Sequence, residues 1–263
     1  MAADYESLRK IIEGPVATVE LARPEVHNAL GAGLIEEITR CFGELSADDS
    51  VRVVVLTGEG RSFCAGADIG YMRDAAGFSH EENVSDARAL AAMFESVEQC
   101  AKPVIARVQG AAIGGGVGLV AASDIVVAAE RARFSLSEVR LGIAPATIAP
   151  FVVPKVGVSQ ARALFLTSER LDARRAQGIG LVHEVVAEED LDAAVGEKVV
   201  ALLGGGPGAQ AACKEIVREV ATLEREDVKE AMAGRIAELR TGEEGQEGLS
   251  AFLEKREPRW SQG

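Results

Sequence analysis

The 263-residue sequence is short of several residue types, and each shortage excludes a class of protein. Only 4% of the residues are aromatic, so aliphatic side chains must fill the core that its 48% of apolar residues can build. The four cysteines form no Cys-x-x-Cys pair, which favours reduced thiols over a disulfide framework. The three histidines are far apart in the sequence, so no metal site is predicted.

Positive charge is also scarce. The chain has 28 lysines and arginines against 41 aspartates and glutamates, a formal net charge of −13. Such a field repels phosphate backbones and anionic lipids, so neither nucleic acid nor a membrane is an expected partner. The sequence has no run of about 18 apolar residues, and its first residues lack the apolar core of a signal peptide. We therefore expect a cytoplasmic protein.

Motifs for phosphate and serine chemistry are missing as well. The sequence has neither a Gly-x-x-x-x-Gly-Lys-Ser/Thr loop nor a Gly-x-Ser-x-Gly elbow. A glycine run at 114–118 lies too far along the chain, and is spaced wrongly, for a dinucleotide loop. These absences disfavour three common enzyme classes.

The apolar pattern of the first 130 residues alternates between strand-like and helix-like segments. This order predicts an α/β protein whose sheet contains parallel pairs. The predicted strands are 16–21, 51–56, 104–108 and 125–128, and the predicted helices are 34–45, 81–99 and 115–122.

The sequence after residue 157 is mainly helical. Helical segments at 160–166, 173–177 and 191–203 precede a strong breaker, Gly204-Gly205-Gly206-Pro207. Amphipathic helices are predicted beyond it, at 207–222, 227–240 and 243–254. We therefore divide the chain into a core, 1–203, and a helical C-terminal region, 204–263, whose apolar stripes should pack on the core or on another subunit.

Two turns of small residues stand out within the predicted α/β core. Ala65-Gly66-Ala67-Asp68 comes after the strand at 51–56, and Gly114-Gly115-Gly116 comes after the strand at 104–108. Small residues let a ligand approach main-chain N–H groups closely. If the turns converge, they supply paired donors for an oxyanion. The alternative is that both are simply tight loops.

Three segments resemble the enoyl-CoA hydratase/isomerase (crotonase) superfamily: the first turn with its flanks at 62–69, the glycine run at 110–118, and Ser137-Glu138-Val139-Arg140-Leu141-Gly142. The resemblance covers nearly the whole chain. The run 114–120 and the tail 254–260 are most similar to bacterial methylglutaconyl-CoA hydratases of leucine breakdown. The resemblance implies a crotonase-type spiral of ββα turns, a helical C-terminal region that forms homotrimers or homohexamers, and an acyl-CoA substrate with no added cofactor.

The resemblance also implies catalytic roles. The N–H groups of Ala67 and Gly115 would hold the thioester oxygen while an enolate forms, and Glu138 would be the acid–base group. We expect the apolar residues 141–143 to wall in Glu138 and to disfavour its ionisation. The alternative for Glu138 is an exposed ion pair with Arg133 or Arg140.

One position departs from the family pattern. Gly118 stands where many hydratases carry a second glutamate that holds the attacking water. One glutamate could serve both protons of hydration, another side chain could position the water, or the enzyme could be a double-bond isomerase. We expect hydration of a 2-enoyl-CoA, 3-methylglutaconyl-CoA above all. The alternatives are an isomerase that uses Glu138 alone and a non-catalytic CoA-binding protein.

The resemblance further implies contacts with the substrate. Main-chain groups near residues 26–27 and 65–69 and a lysine of the last helix would hold CoA, although Glu25 replaces a lysine common in relatives. Arg73 is our candidate for a second substrate carboxylate. The predicted substrate-binding residues are Val26, His27, Ala65, Asp68, Ile69, Arg73, Gly114, Gly118 and Lys255.

Overall fold

A computed structural model describes residues 5–261, which contain ten strands and ten α-helices. The strands are β1 (Leu8–Glu13), β2 (Val16–Leu21), β3 (Val53–Gly58), β4 (Ser62–Cys64), β5 (Val104–Val108), β6 (Ala111–Ile113), β7 (Ile125–Ala129), β8 (Arg133–Ser135), β9 (Arg170–Asp172) and β10 (Glu184–Val186). The helices are α1 (Ala32–Ala47), α2 (Ile69–Ala75), α3 (His80–Glu98), α4 (Gly115–Ala122), α5 (Ala149–Thr167), α6 (Ala173–Gly178), α7 (Leu191–Leu203), α8 (Pro207–Thr222), α9 (Arg225–Thr241) and α10 (Glu243–Glu254).

The strands form two sheets. The larger sheet has the order β1-β2-β3-β5-β7-β10, and only β1 runs antiparallel to its neighbour. The smaller sheet has the order β4-β6-β8-β9, with only β9 antiparallel. Consecutive strands therefore alternate between the sheets: β3, β5 and β7 enter the larger one, and β4, β6 and β8 enter the smaller one. This alternation repeats a ββα unit along the chain.

The middle of the larger sheet is covered on both faces, which explains the mainly apolar strands β3, β5 and β7. All six residues of β3 are buried. One face packs into the main core with α1 and α3, and the other packs against α7 through Leu191, Ala194 and Val195. The helix α4 is apolar on every side, and its residues from Gly116 onward are all buried.

The C-terminal helices bury little within this chain. Ala212 and Ala251 are the only buried residues in α8, α9 and α10. Large apolar side chains stay exposed, including Phe252 at 81% and Leu253 at 78%. The apolar stripes expected on these helices therefore face outward here. No helix within residues 5–261 is long and apolar enough to cross a membrane.

The prediction of an α/β core followed by helices is confirmed, and several predicted segments match the observed ones. The bounds of β2, β5, α4, α7, α8 and α10 agree to the residue. The helix predicted at 160–166 is too short, because this segment is only the second half of α5. That helix bends at Gly157, which has a φ of 77°.

The strands that lead into the two small-residue turns were not predicted. The turns follow β4 and β6, not β3 and β5 directly. Each missed strand has only three residues, so it is too short for an alternation to show.

Candidate active site

Three parallel neighbours of the smaller sheet end side by side, and each is followed by one of the predicted catalytic residues. Ala67 follows β4, Gly115 follows β6, and Glu138 follows β8 in a short 3₁₀ helix, Glu138–Leu141. Neighbouring strands lie about 4.8 Å apart. The sheet therefore brings together three residues that are well separated in sequence.

The two small-residue turns touch each other. A Cβ built on Gly66 would lie 2.8 Å from the Ile113 carbonyl oxygen and 3.8 Å from the Gly114 Cα. Gly66 and Gly114 also have positive φ, 88° and 51°. A side chain at either position would therefore be strained, and at Gly66 it would push the turns apart.

The turns leave two main-chain donors free. Leu30 fixes the first turn, because its N–H donates to Gly66 O at 2.7 Å and its carbonyl accepts from Asp68 N at 2.8 Å. Within residues 5–261, neither the Ala67 N–H nor the Gly115 N–H donates a hydrogen bond. Gly115 is also the first residue of α4, where the helix presents its positive end. This pairing of free donors can receive a negatively charged oxygen.

Glu138 lies against the second turn. Its Oε1 is 3.1 Å from where a Cβ of Gly114 would be. Its Oε2 is buried and has no hydrogen-bond partner within residues 5–261. Burial raises the pKa of Glu138 above its usual value, so this carboxyl exchanges protons nearer to neutral pH than an exposed glutamate.

The prediction for the surroundings of Glu138 is partly wrong. Leu141 and Ile143, predicted to wall in the carboxyl, are 59% and 60% exposed. The ion pair with Arg133 or Arg140 does not occur in the described part of the chain, and Arg133 instead donates to main-chain carbonyls. The nearest approach to the carboxyl comes instead from the turn at Gly114, which has no side chain to separate the two.

The space beside Gly118 is filled by hydrocarbon. A Cβ built on Gly118 would lie 2.6 Å from Phe94 Cε1 and 2.6 Å from Ile148 Cγ2. Both side chains are buried, and Phe94 also packs on Phe151 with ring centroids 5.6 Å apart. Any side chain at Gly118 must displace this packing.

The enoyl-CoA hydratase/isomerase family model matches residues 12–263. The chain belongs to the enoyl-CoA hydratase/isomerase family. It is 35% identical over 262 residues to the enoyl-CoA hydratase AKT6-1 of Alternaria alternata, covering 98% of this chain and 84% of that one. A short-chain-enoyl-CoA hydratase of Clostridium acetobutylicum is 32% identical over 93% of both chains.

The solved structures agree. An enoyl-CoA hydratase from Shewanella pealeana superposes with a TM-score of 0.94 at 38% identity, over 97% of this chain and 96% of that one. The predicted crotonase fold is confirmed by this match. As a member of the enoyl-CoA hydratase/isomerase family, the protein is an enzyme of the enoyl-CoA hydratase type.

Asp68 has a structural part in this hydratase/isomerase site. It caps α2 by accepting from Gly70 N at 2.7 Å, and it pairs with Arg23 Nη2 at 2.9 Å. Burial opposes ionisation of Asp68, but these donors outweigh it and hold its pKa below the usual value. Asp68 therefore anchors the start of α2 directly beside Ala67.

The predicted CoA contacts divide into two groups. Ala65 N donates to His27 O at 3.0 Å, and this joins the segments 26–27 and 65–69. Ile69 is 76% exposed at the start of α2. Arg73 is exposed in the last turn of that helix. Lys255 lies apart, exposed at the end of α10, and shares no hydrogen bond or ion pair with the turns in residues 5–261.

Three residues that shape the site were not identified from the sequence. Leu30 packs against Gly115, and its Cδ1 is 2.6 Å from where a Cβ of Gly115 would be. Phe94 and Ile148 close the space at Gly118. Phe94 lies within the predicted helix 81–99, but apolar periodicity indicates only which side of a helix is buried and not which residues that side contacts.

Proposed function

We propose that the enzyme hydrates 3-methylglutaconyl-CoA, or a close 2-enoyl-CoA analogue, with Glu138 as its single acid–base residue and no added cofactor. The observation that supports a single acid–base residue is the contrast between two positions. Within residues 5–261, Glu138 offers a buried carboxyl oxygen that has no hydrogen-bond partner and a raised pKa beside the free N–H groups, while hydrocarbon fills the space at Gly118.

The proposed reaction balances with one carboxyl group. Water bonds to C3 and gives a proton to the Glu138 carboxylate, while the electron pair of the double bond moves to the thioester oxygen. The Ala67 and Gly115 N–H groups hold that oxygen as an enolate. Glu138 then returns a proton to C2, and the thioester carbonyl re-forms. Because one carboxyl transfers both protons, hydroxyl and hydrogen add to the same face.

Double-bond isomerisation is the second candidate, because a wall of hydrocarbon at Gly118 also suits a reaction that needs no water. The deciding experiment incubates the enzyme in heavy water with 2-enoyl, 3-enoyl and methylglutaconyl thioesters. A hydroxylated product deuterated at C2 supports hydration. Migration of the double bond without added oxygen supports isomerisation, and binding without turnover would reject both. Glu138→Gln activity close to wild type would remove Glu138 from the mechanism.

Arg73 is proposed to bind the distal carboxylate of a glutaconyl substrate. It forms no ion pair within residues 5–261 and lies on α2, which begins two residues after Ala67. We expect Arg73→Ala to lower the ratio of kcat/KM on methylglutaconyl-CoA to that on crotonyl-CoA by about tenfold or more. Arg225→Ala, an exposed arginine on α9, is the matched control. An unchanged ratio for Arg73→Ala would reject this role.

We propose that assembly of several subunits completes the CoA-binding part of the site. The exposed apolar side chains of α10 suit burial between subunits of a trimer or hexamer. Lys255 is proposed to reach CoA bound at the main chain of Val26, His27, Ala65 and Ile69, either in its own subunit or in a neighbour.

A further inference from the structure

The carboxyl end of α4 is held by a lysine. Lys155, on α5, donates from Nζ to the Ser123 carbonyl oxygen at 2.6 Å. Ser123 directly follows α4 as its C-cap residue, and Gly115 is the first residue of the helix. A cation therefore sits at one end of the helix whose other end presents a free N–H to the site.

Several titratable groups surround Lys155. They are Asp124 after α4, Glu98 on α3, Lys214 on α8 and His183 before β10. Burial lowers the pKa of Lys155 below its usual value, partly offset by Asp124 and Glu98.

The carboxylates do not cancel the charge near Lys155. Lys214 already pairs with Asp124 at 2.7 Å, and burial raises the pKa of Glu98. Arg218 lines the same cavity of about 480 Å³ as Lys155, Lys214, Glu98 and Asp124. Three cations thus face two carboxylates in a protein whose net charge is −13.

We propose that Lys155 is a positioning residue for catalysis: it fixes the end of α4, and its charge strengthens the positive potential at the Gly115 N–H. The inference rests on the proposed enolate mechanism. The eight residues of α4 span about 12 Å. A unit charge at roughly that distance, in an effective dielectric constant of about 20, stabilises an enolate enough for a three- to tenfold change in rate, to order of magnitude.

The test compares Lys155→Met, Lys155→Arg and a control, Lys198→Met, which removes a lysine paired with Glu184 at the surface of α7. We expect Lys155→Met to lower kcat by about three- to tenfold with KM changed less than about twofold. Lys155→Arg should recover most of the kcat, because a guanidinium keeps its charge and the adjacent cavity gives it room. Lys198→Met should match wild type.

The pH profile separates this role from a purely structural cap. As pH rises through the pKa of Lys155, the wild type should lose activity, and Lys155→Arg should not show that alkaline decline. The inference is overturned if Lys155→Met keeps the wild-type kcat. It is also overturned if Lys155→Arg has the melting temperature of wild type but shows either the low kcat of Lys155→Met or the alkaline decline of wild type. If Lys155→Met fails to fold, the Lys155→Arg profile decides alone.

A second readout keeps this inference separate from the proposed function. Exchange of the C2 proton of butyryl-CoA into heavy water reports enolate formation for a hydratase and an isomerase alike. Slower exchange in Lys155→Met supports the inference. Exchange equal to wild type overturns it and leaves the mechanism standing, whereas a wild type that neither exchanges this proton nor turns over any enoyl thioester overturns the mechanism as well.

Discussion

The packing around Gly118 predicts that adding one methyl group to this buried helix will destabilise the enzyme. Alanine is normally the better helix former by about 1 kcal/mol. At Gly118, however, the new Cβ would lie 2.6 Å from both Phe94 and Ile148, and a second ring atom of Phe94 would be 2.8 Å away. Phe94 is 0% and Ile148 2% exposed, so neither can swing into solvent.

The expected magnitude follows from two opposing effects. Overpacking a core costs about 1–3 kcal/mol, and three close contacts with buried atoms place Gly118→Ala in the upper half of that range. The gain in helix propensity offsets about 1 kcal/mol. The net loss of unfolding free energy is about 1–2 kcal/mol, which lowers the melting temperature of a chain this long by about 2–8 °C.

Gly43→Ala is the matched control. Gly43 lies inside α1, and a Cβ built there meets nothing within 4 Å. This substitution should stabilise the protein by about 0.5–1 kcal/mol. Thermal melts of both variants at one protein concentration make the comparison. A Gly118→Ala variant that melts above wild type, as the control should, would refute the packing argument.

A double substitution locates the strain. Phe94→Leu removes the ring atoms that a Cβ at Gly118 would meet, so Gly118→Ala should cost about 1 kcal/mol less in that background. Equal costs in both backgrounds would exclude Phe94 as the cause. The same crowding implies that Gly118→Glu alone cannot supply a second catalytic carboxyl without rebuilding this wall.

Two further substitutions have three expected outcomes. Glu138→Gln should lower kcat by about 10²–10⁴-fold. Burial raises the pKa of Glu138 in the folded state, so the folded state loses stability as the pH rises from the usual glutamate pKa through the raised one. Glu138→Gln should therefore melt close to wild type at about pH 5 and at a higher temperature than wild type at about pH 8.5. A melting difference that does not grow with pH would contradict this. Lys255 has a left-handed backbone with φ 55°, which asparagine tolerates, so Lys255→Asn is the suitable substitution. It should raise KM for acyl-CoA by about three- to tenfold but leave KM for the N-acetylcysteamine thioester unchanged. Lys229→Asn, at an exposed position, is the control. An equal rise with both thioesters would place Lys255 away from the nucleotide.

The sequence predicts this fold well where apolar periodicity is long. The segments 104–108 and 115–122 have the bounds of β5 and α4 because each is a mainly apolar stretch, interrupted in the first only by Arg107, next to a clear glycine or polar boundary. The three-residue strands β4 and β6 could not be predicted, because their stability comes from pairing with each other across the sheet.

The candidate site could be predicted only in part, for a similar reason. Small residues indicated two close main-chain approaches, and the resemblance assigned Glu138. The contacts of Glu138 and Gly118 depend on where distant side chains arrive. The hydrocarbon at Gly118 comes from Phe94 on α3 and from Ile148 just before α5, and no local pattern links them.

The free donors of this site belong to the main chain, and this determines which substitutions would abolish activity and which would not. Every residue except proline supplies an N–H, so exchanging the Ala67 side chain leaves the donor itself intact. The evolutionary constraint falls on the glycines of the two turns: on Gly115, where a methyl group would lie 2.6 Å from Leu30, and on Gly66 and Gly116, where it would approach the carbonyl oxygens of Ile113 and Cys64 to 2.8 Å and 2.4 Å. Substitutions that add a side chain to these glycines will therefore disable the donors by displacing the turns, even though every N–H group is still present.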